Sequence, residues 1–405
     1  MTEEDKRIRA DFPIFENDNT IYIDTAATSQ KPLSVLDAVR DYYENANANP
    51  LRGLYDLSMR ATECYETARS TVAEFVNAPA AENIVFTRNA SESLNLVAYS
   101  YGMNSLKEGD EVLVSIMEHH SNLLPWQLVC RATGAVLKFV ECDKEGHLTP
   151  EMVEAAVNDR TKLLAVTYVS NVFGCRNDIK SFAEIIHNKG GIIVCDGAQA
   201  LPHIPVDVQE LNVDFLAFSG HKMLAPMGIG GLYGRQSLLE EMPPFMYGGE
   251  MIEIVTRESA TYAEVPHKFE AGTVNAGGAV GLKAAIEYMN GIGFETIERR
   301  ENALSKLCME LMAEDEHIHV IGDKDYVNHH GIVTFTLDDV HPHDIAAILN
   351  DENIAIRAGH HCAQPLLKYL GTNSTARASF GFYNTEDEVR QLVAAVRRIR
   401  GKMGY

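Results

Sequence analysis

The chain has 405 residues, 46% of them hydrophobic, enough for more than one buried core and for two or three domains. A formal charge of -22 argues against nucleic acid or anionic membrane as the main partner, because both attract basic surfaces. Seven scattered cysteines without a Cys-x-x-Cys, an acidic start with no apolar signal segment, and no apolar run near the roughly 20 residues of a membrane helix together predict a soluble, cytoplasmic protein with reduced thiols.

A short strand opens at Ile21-Tyr-Ile-Asp and ends in Thr25-Ala-Ala-Thr, after which Pro32 introduces an amphipathic helix to about residue 46. Residues 45–53 read as a turn-rich loop and 61–76 as a second helix. Residues 83–97 give strand, polar turn and helix start in close succession. Strands follow at 111–116, 135–140, 163–169, 191–196 and 214–218, with helical patterns between most of them. This alternation predicts an α/β fold with a mostly parallel sheet and helices on its faces.

Residues 242–275, broken by glycines and prolines, read as an extended excursion or hairpin. After a helix at 278–289 the pattern changes to charged helices and isolated strands (331–337, 354–357, 376–380), closing with a helix over 386–402. This predicts a large domain over 22–285 and a smaller α+β domain from 1–21 and 286–405.

The chemistry centres on the run from Val213 to Leu224. Its apolar strand stops at Ser219-Gly220-His221, with Lys222 immediately beyond. A lysine at a strand end in an α/β sheet is either a surface group or a buried nucleophile whose pKa burial lowers. Asp196, 26 residues upstream, ends the strand Ile-Ile-Val-Cys-Asp. The two suit a pyridoxal phosphate site, with lysine bonding the aldehyde and the acid pairing with the pyridinium nitrogen. The alternative for Asp196 is a helix N-cap. Thr87-Arg-Asn-Ala-Ser-Glu-Ser offers phosphate donors at a helix start, with Ser91 and the N–H groups of Ala90 and Ser91 as candidates. Ser219 and His221 could add donors.

His119 and His120 follow a strand, so an imidazole there could stack on the cofactor ring and move protons. Metal is not expected, since none of the histidine pairs has the regular spacing of a structural zinc site. Cys362 lies in the loop Gly359-His-His-Cys-Ala-Gln-Pro365, where it reaches solvent or a cleft, unlike Cys195 within its strand. Arg377 sits on a strand-like segment and needs an anion: a substrate carboxylate, or an internal Asp or Glu.

Ser-Gly-His-Lys222, Cys-Asp196-Gly-Ala-Gln199, Met-Glu-His119-His-Ser-Asn, Val-Ser-Asn171, Phe-Glu-Ala-Gly-Thr273 and Arg357-Ala-Gly-His-His-Cys362-Ala-Gln-Pro span nearly the whole chain. Together they resemble the SufS-type (group II) cysteine desulfurases, in the class V branch of fold-type I pyridoxal phosphate enzymes. The resemblance implies a seven-stranded sheet and a large domain with a smaller one carrying the cysteine loop. It implies that Lys222 holds the cofactor, Asp196 pairs with its ring nitrogen, and His119 stacks on the ring. Gln199 and Asn171 contact the ring hydroxyl or substrate carboxylate. Ser91, Ser219 and His221 bind phosphate, joined by Thr273 from the neighbouring subunit of a homodimer.

By the same resemblance Arg377 holds the substrate carboxylate, with Arg357 a further substrate-binding candidate. Cys362 attacks the sulfur of L-cysteine, leaving alanine and an enzyme persulfide for a SufE-like or SufU-like acceptor in iron-sulfur cluster assembly. Selenocysteine lyase and cysteine sulfinate desulfinase are the nearest alternatives; a non-enzymatic metal- or sulfur-binding protein is a remote one. Arg52-Gly-Leu-Tyr55, Asn89-Ala-Ser91 and Gly174-Cys-Arg-Asn-Asp178 depart from the family pattern without removing an essential group.

Overall fold

The structure is a computed structural model that describes residues 1–405. Seven strands form the main sheet: β1 (Ile84–Thr87), β2 (Glu111–Ser115), β3 (Val136–Val140), β4 (Thr161–Thr167), β5 (Ile192–Asp196), β6 (Phe215–Ser219) and β7 (Gly230–Gly234). Their order is β1-β7-β6-β5-β4-β2-β3. Five neighbours run parallel, and β7 runs antiparallel between β6 and β1.

The central strands are apolar along their length because both faces are covered. Leu163, Ala165, Ile192, Val194, Phe215 and Ala217 enter one core with the helices Ala90–Val97 and Leu124–Thr133. Leu164, Val166, Ile193, Cys195, Leu216 and Phe218 enter the opposite core with Asp56–Phe75, Ile179–His187 and Ala276–Ile292. The two-residue period of a strand thus divides one hydrophobic run between two cores.

Sequence reading assigned no strand to β7, whose residues are Gly-Gly-Leu-Tyr-Gly. Packing explains the composition. A Cβ on Gly230 would lie 2.6 Å from the Phe218 carbonyl oxygen and 2.8 Å from Asn89 Cα; one on Gly231 would lie 2.5 Å from the Phe218 ring. The missing side chains let β7 close against the strand ending at Ser219 and the turn carrying Asn89.

A second, antiparallel sheet contains β8 (Ile318–Ile321), β9 (Ile332–Leu337), β10 (Arg357–Gly359) and β11 (Thr375–Ser379), in the order β8-β9-β11-β10. Helices Phe294–Met312 and Glu386–Met403 cover it around Phe335, Phe380 and Val396. Ile21–Tyr22 pairs in parallel with Ile354–Ala355, bringing the residues after Ile23 beside this sheet. The excursion over 242–275 contains a hairpin of Ile252–Val255 and Ala260–Tyr262. No helix is long and apolar enough to cross a membrane.

The carboxyl ends of β4, β5 and β6 therefore meet the loop after β10, the kind of crevice in which open α/β sheets bind ligands. Gly231→Ala is expected to lower unfolding free energy by roughly 1–3 kcal/mol through overpacking against Phe218. Urea unfolding of the variant checks this, and an unchanged midpoint would contradict the packing argument.

Candidate active site

Lys222 ends a single 3₁₀ turn, Gly220–Lys222, directly after β6. Burial pulls its ammonium down to about 8, against the opposing pull of Asp196. Asp196 is the last residue of β5 and is 5% exposed. One of its oxygens accepts the Ala198 N–H at 2.9 Å, a local turn contact; no helix starts there, so Asp196 is not the N-cap of the alternative reading. Burial pushes the carboxyl up and the Lys222 charge pulls it back. Each group thus needs a buried partner of opposite charge.

His119 caps a short turn after β2: its Nδ1 accepts the Ser121 N–H at 3.1 Å, so the proton of the neutral ring sits on Nε2. Burial, then the Lys222 charge, lower its pKa to about 3. The acid before it, Glu118, is buried beneath the loop, accepting from the Thr167 N–H at 2.8 Å and from Asn122 Nδ2 at 2.6 Å. Helix Ala90–Val97 starts opposite, capped by Asn89, with the Ala90 N–H donating to Ser219 Oγ at 2.9 Å and Ser91 Oγ 2.6 Å from Ser121 Oγ.

From the second sheet, Arg377 is 2% exposed and donates from Nη1 to the Asn171 carbonyl at 2.8 Å. Its Nη2 lies 3.5 Å from Asp24, the internal carboxylate that sequence reading left open. Burial lowers the guanidinium to about 10. Arg357 is tied more closely to Asp24, at 2.9 Å. Cys362 is exposed, and the loop before it is held from the main sheet. Asn171 Nδ2 donates to the His361 carbonyl at 2.7 Å, and the His120 N–H donates to the Cys362 carbonyl at 2.7 Å.

One cavity of about 260 Å³ lies between these elements. It collects Lys222, Asp196, Gln199, His119, Asn171, Ala90, Ser91, Ser219, His221, Arg357, Arg377 and Cys362. Thr273 is not among them; it lines a separate cavity of about 380 Å³. Sequence reading missed Ser121, Asn89 and His361, which also line the site. Ser121 stands two residues after His119, the spacing of a local side-chain turn, and was the most legible of the three.

The aminotransferase class-V family model matches residues 21–392. The chain belongs to this family. It is 46% identical over 398 residues to a probable cysteine desulfurase of Halalkalibacterium halodurans, covering 97% of each chain. It is 47% identical over 400 residues to a probable cysteine desulfurase of Staphylococcus aureus strain N315, covering 98% of this chain and 96% of the relative. Its structure is similar to the cysteine desulfurase of Thermococcus onnurineus NA1, with a TM-score of 0.94, 42% identity and 98% of each chain covered. It is also similar to the cysteine desulfurase CsdA of Escherichia coli, with a TM-score of 0.91, 37% identity, and 99% and 100% covered.

In this class-V family member, Gln199 Oε1, Arg377 Nε and His361 Nδ1 are buried on the cavity wall without hydrogen-bond partners. Buried polar atoms are rarely left unpaired. Together with a desolvated amine and a buried acid, they fit a polar, anionic cofactor and an amino-acid substrate.

Burial also lowers His361 to about 3, and His221 and His330 to about 4. Unfolded, each imidazole takes a proton below about pH 6.5, so the unfolded state binds more protons from there down to the native values. Stability contributed by the four neutral rings is thus lost as pH falls through that window. His147, raised by Asp323 and Asp143, acts in the opposite sense, as do the buried carboxyls of Glu118, pushed up to about 8, and of Asp196 and Glu301, raised by burial. The urea midpoint at pH 5 is expected below that at pH 7, and a higher one would mean that the groups with raised proton affinity outweigh the four rings.

Proposed function

We propose that the protein is a pyridoxal 5'-phosphate-dependent cysteine desulfurase that converts L-cysteine to L-alanine and takes the sulfur onto Cys362 as a persulfide, for iron-sulfur cluster assembly. The observation that carries this reading is one cavity shared by a desolvated lysine, a buried strand-end carboxylate and an exposed cysteine. The names of the relatives, probable cysteine desulfurases across nearly the whole chain, support it.

Lys222 would bond the cofactor's aldehyde, and Asp196 would face its ring nitrogen, each supplying the opposite charge the other lacks. His119, neutral with its proton on Nε2, would stack on the ring. Gln199 and Asn171 would contact the ring hydroxyl or the substrate carboxylate. Ser91, Ser219, His221 and main-chain donors at the helix start would hold the phosphate, although the Ala90 N–H is already engaged by Ser219 Oγ. When bound, the cofactor supplies an electron sink at the substrate Cα.

Arg377 holds the substrate α-carboxylate with its buried guanidinium, whose Nε has no other partner. The Lys222 amine, brought to about 8, gains and releases a proton near neutral pH and can serve as the base at Cα. The Cys362 thiolate attacks the substrate sulfur: the S–S bond forms, the Cβ–S bond breaks, and the carbon fragment takes up a proton to leave as alanine. Exposure of Cys362 then lets a SufE-like or SufU-like acceptor reach the persulfide.

A homodimer with the site at the subunit interface is part of the proposal. Leu54 is 96% exposed, and Tyr247, Ile254 and Val255 are exposed beside it around the hairpin. Arg52 ties the two segments together, 2.8 Å from Glu250 and donating to the Ile252 carbonyl at 3.0 Å. Burial of such a patch by a second copy is the ordinary remedy. Thr273, outside its own chain's cavity, would then serve the phosphate site of the neighbouring subunit.

Lys222→Ala is expected to lose the visible absorbance of bound cofactor together with all alanine production; a coloured, fully active variant would refute the assignment. Cys362→Ala is expected to keep the absorbance and cut alanine formation from L-cysteine by about 10²-fold or more. It should act on selenocysteine far less impaired. Equal losses on both substrates would remove Cys362 from the sulfur-transfer step.

A further inference from the structure

The Arg377 guanidinium is only partly free to receive an anion. Nη1 donates to the Asn171 carbonyl at 2.8 Å and Nη2 stands 3.5 Å from Asp24, while Nε is buried without a partner. The edge formed by Nε and Nη2 ordinarily grips both oxygens of a carboxylate, but here Asp24 already stands before Nη2. A substrate carboxylate received on Nε is thus left with one oxygen in need of a second donor.

His361 offers one. It is 6% exposed, lines the same cavity, and its Nδ1 is buried with no partner. Its Nε2 lies 2.8 Å from Thr375 Oγ1. Thr375 and Arg377 stand two residues apart on β11, so both side chains leave the same face of the strand, and a ring anchored to the first lies beside the second. Among charged groups, Arg377 weighs most on this ring. Asn171 ties the pair together, accepting Arg377 Nη1 at its carbonyl and donating from Nδ2 to the His361 carbonyl at 2.7 Å. The buried Thr375 hydroxyl has no other hydrogen-bond partner, so its proton goes to Nε2 and the proton of the neutral ring stands on Nδ1. The opposite arrangement would strand the hydroxyl proton as well as Nδ1.

We infer that His361 is a second substrate-binding residue for the α-carboxylate: its Nδ1–H takes one oxygen while Arg377 Nε takes the other. Burial, then the Arg377 charge, keep the ring neutral down to about 3, so it adds a donor without adding a second cation beside the arginine. His361 is joined to Cys362 by one peptide bond, so the contact that seats the substrate also fixes the backbone that carries the thiol. The inference rests on the assignment of the α-carboxylate to Arg377.

The test is equilibrium binding to the holoenzyme, by titration calorimetry, of L-alanine and of ethylamine, the same amine without its carboxylate. In His361→Gln, which keeps an acceptor for the Thr375 hydroxyl but no donor at the Nδ1 position, L-alanine should bind about tenfold or more weakly, the scale of one hydrogen bond to a charged group, with ethylamine unchanged. His361→Asn, whose amide nitrogen takes the Nδ1 position, should restore most of the L-alanine affinity. A crystal structure of the unmodified holoenzyme with L-alanine should place Nδ1 within about 3.2 Å of a carboxylate oxygen. Unchanged L-alanine binding in His361→Gln, an equal loss on both ligands, no recovery in His361→Asn, or a longer Nδ1 distance in the crystal overturns the inference. If Arg377→Gln leaves L-alanine binding intact, the α-carboxylate assignment fails and this inference with it, whereas a loss in Arg377→Gln without one in His361→Gln refutes His361 alone.

Discussion

The structure turns on a largely desolvated lysine at a strand end, across from a carboxylate cut off from solvent. A buried amine is expensive unless its backbone is held where burial cannot be avoided. Four donors from the segment before the first long helix converge on the His221 carbonyl, which forms the peptide bond to Lys222. They are the Ser29 N–H at 3.0 Å, Thr28 Oγ1 at 3.0 Å, Ser29 Oγ at 3.1 Å and Lys31 Nζ at 3.0 Å. Ser29 Oγ also accepts the Leu224 N–H at 2.8 Å. The turn is gripped on both sides of the lysine, so the cost of desolvating the amine cannot be relieved by fraying.

The cysteine loop depends on the main sheet in a comparable way. His361 and Cys362 both have positive φ, 50° and 55°, a conformation that non-glycine residues adopt only when their surroundings impose it. Asn171 and His120 supply that imposition by bonding the carbonyls of these two residues. The His361 ring is anchored at 2.8 Å to Thr375 on β11, and the Gln364 N–H bonds His120 at 3.2 Å. Because Arg377 also bonds the Asn171 carbonyl, a displacement of Asn171 would disturb arginine and cysteine loop together.

What the sequence revealed was chemistry marked by local pattern. Lys222 and Asp196 each close an apolar run, and Cys362 sits among histidines and glycine where a core thiol would not. The parallel sheet was legible for the same reason, since its central strands carry apolar runs such as Leu163–Val166, Ile192–Cys195 and Phe215–Phe218. Strand β7 was not, because its glycines serve the backbone approach of Phe218 and Asn89 and carry no periodicity. Asp24 was hidden because its partners are more than 330 residues away. Glu118 was visible only as an acid beside His119. Asn122 lies four residues on, a local spacing, but the burial of Glu118 also depends on Thr167, 49 residues away.

The chain as a whole is strongly acidic, yet its cavity is lined by Lys222, Arg357 and Arg377 against Asp196 alone among carboxylates. At this range local charge governs, since opposing charges on the outer surface are screened within about 8–10 Å. Lys222 and Arg377 both hold their protons less tightly than in water because burial is not fully compensated by anions. Linkage then fixes a reciprocal relation: an anion entering the cavity must raise the proton affinity of both groups, and deprotonation of Lys222 must weaken the anion's binding by the same free energy. An amine that loses its proton while an anion remains anchored on Arg377 becomes a stronger base because of that anion. The positive excess on the wall and the basicity of the lysine are therefore one electrostatic arrangement, seen from the side of binding and from the side of proton transfer.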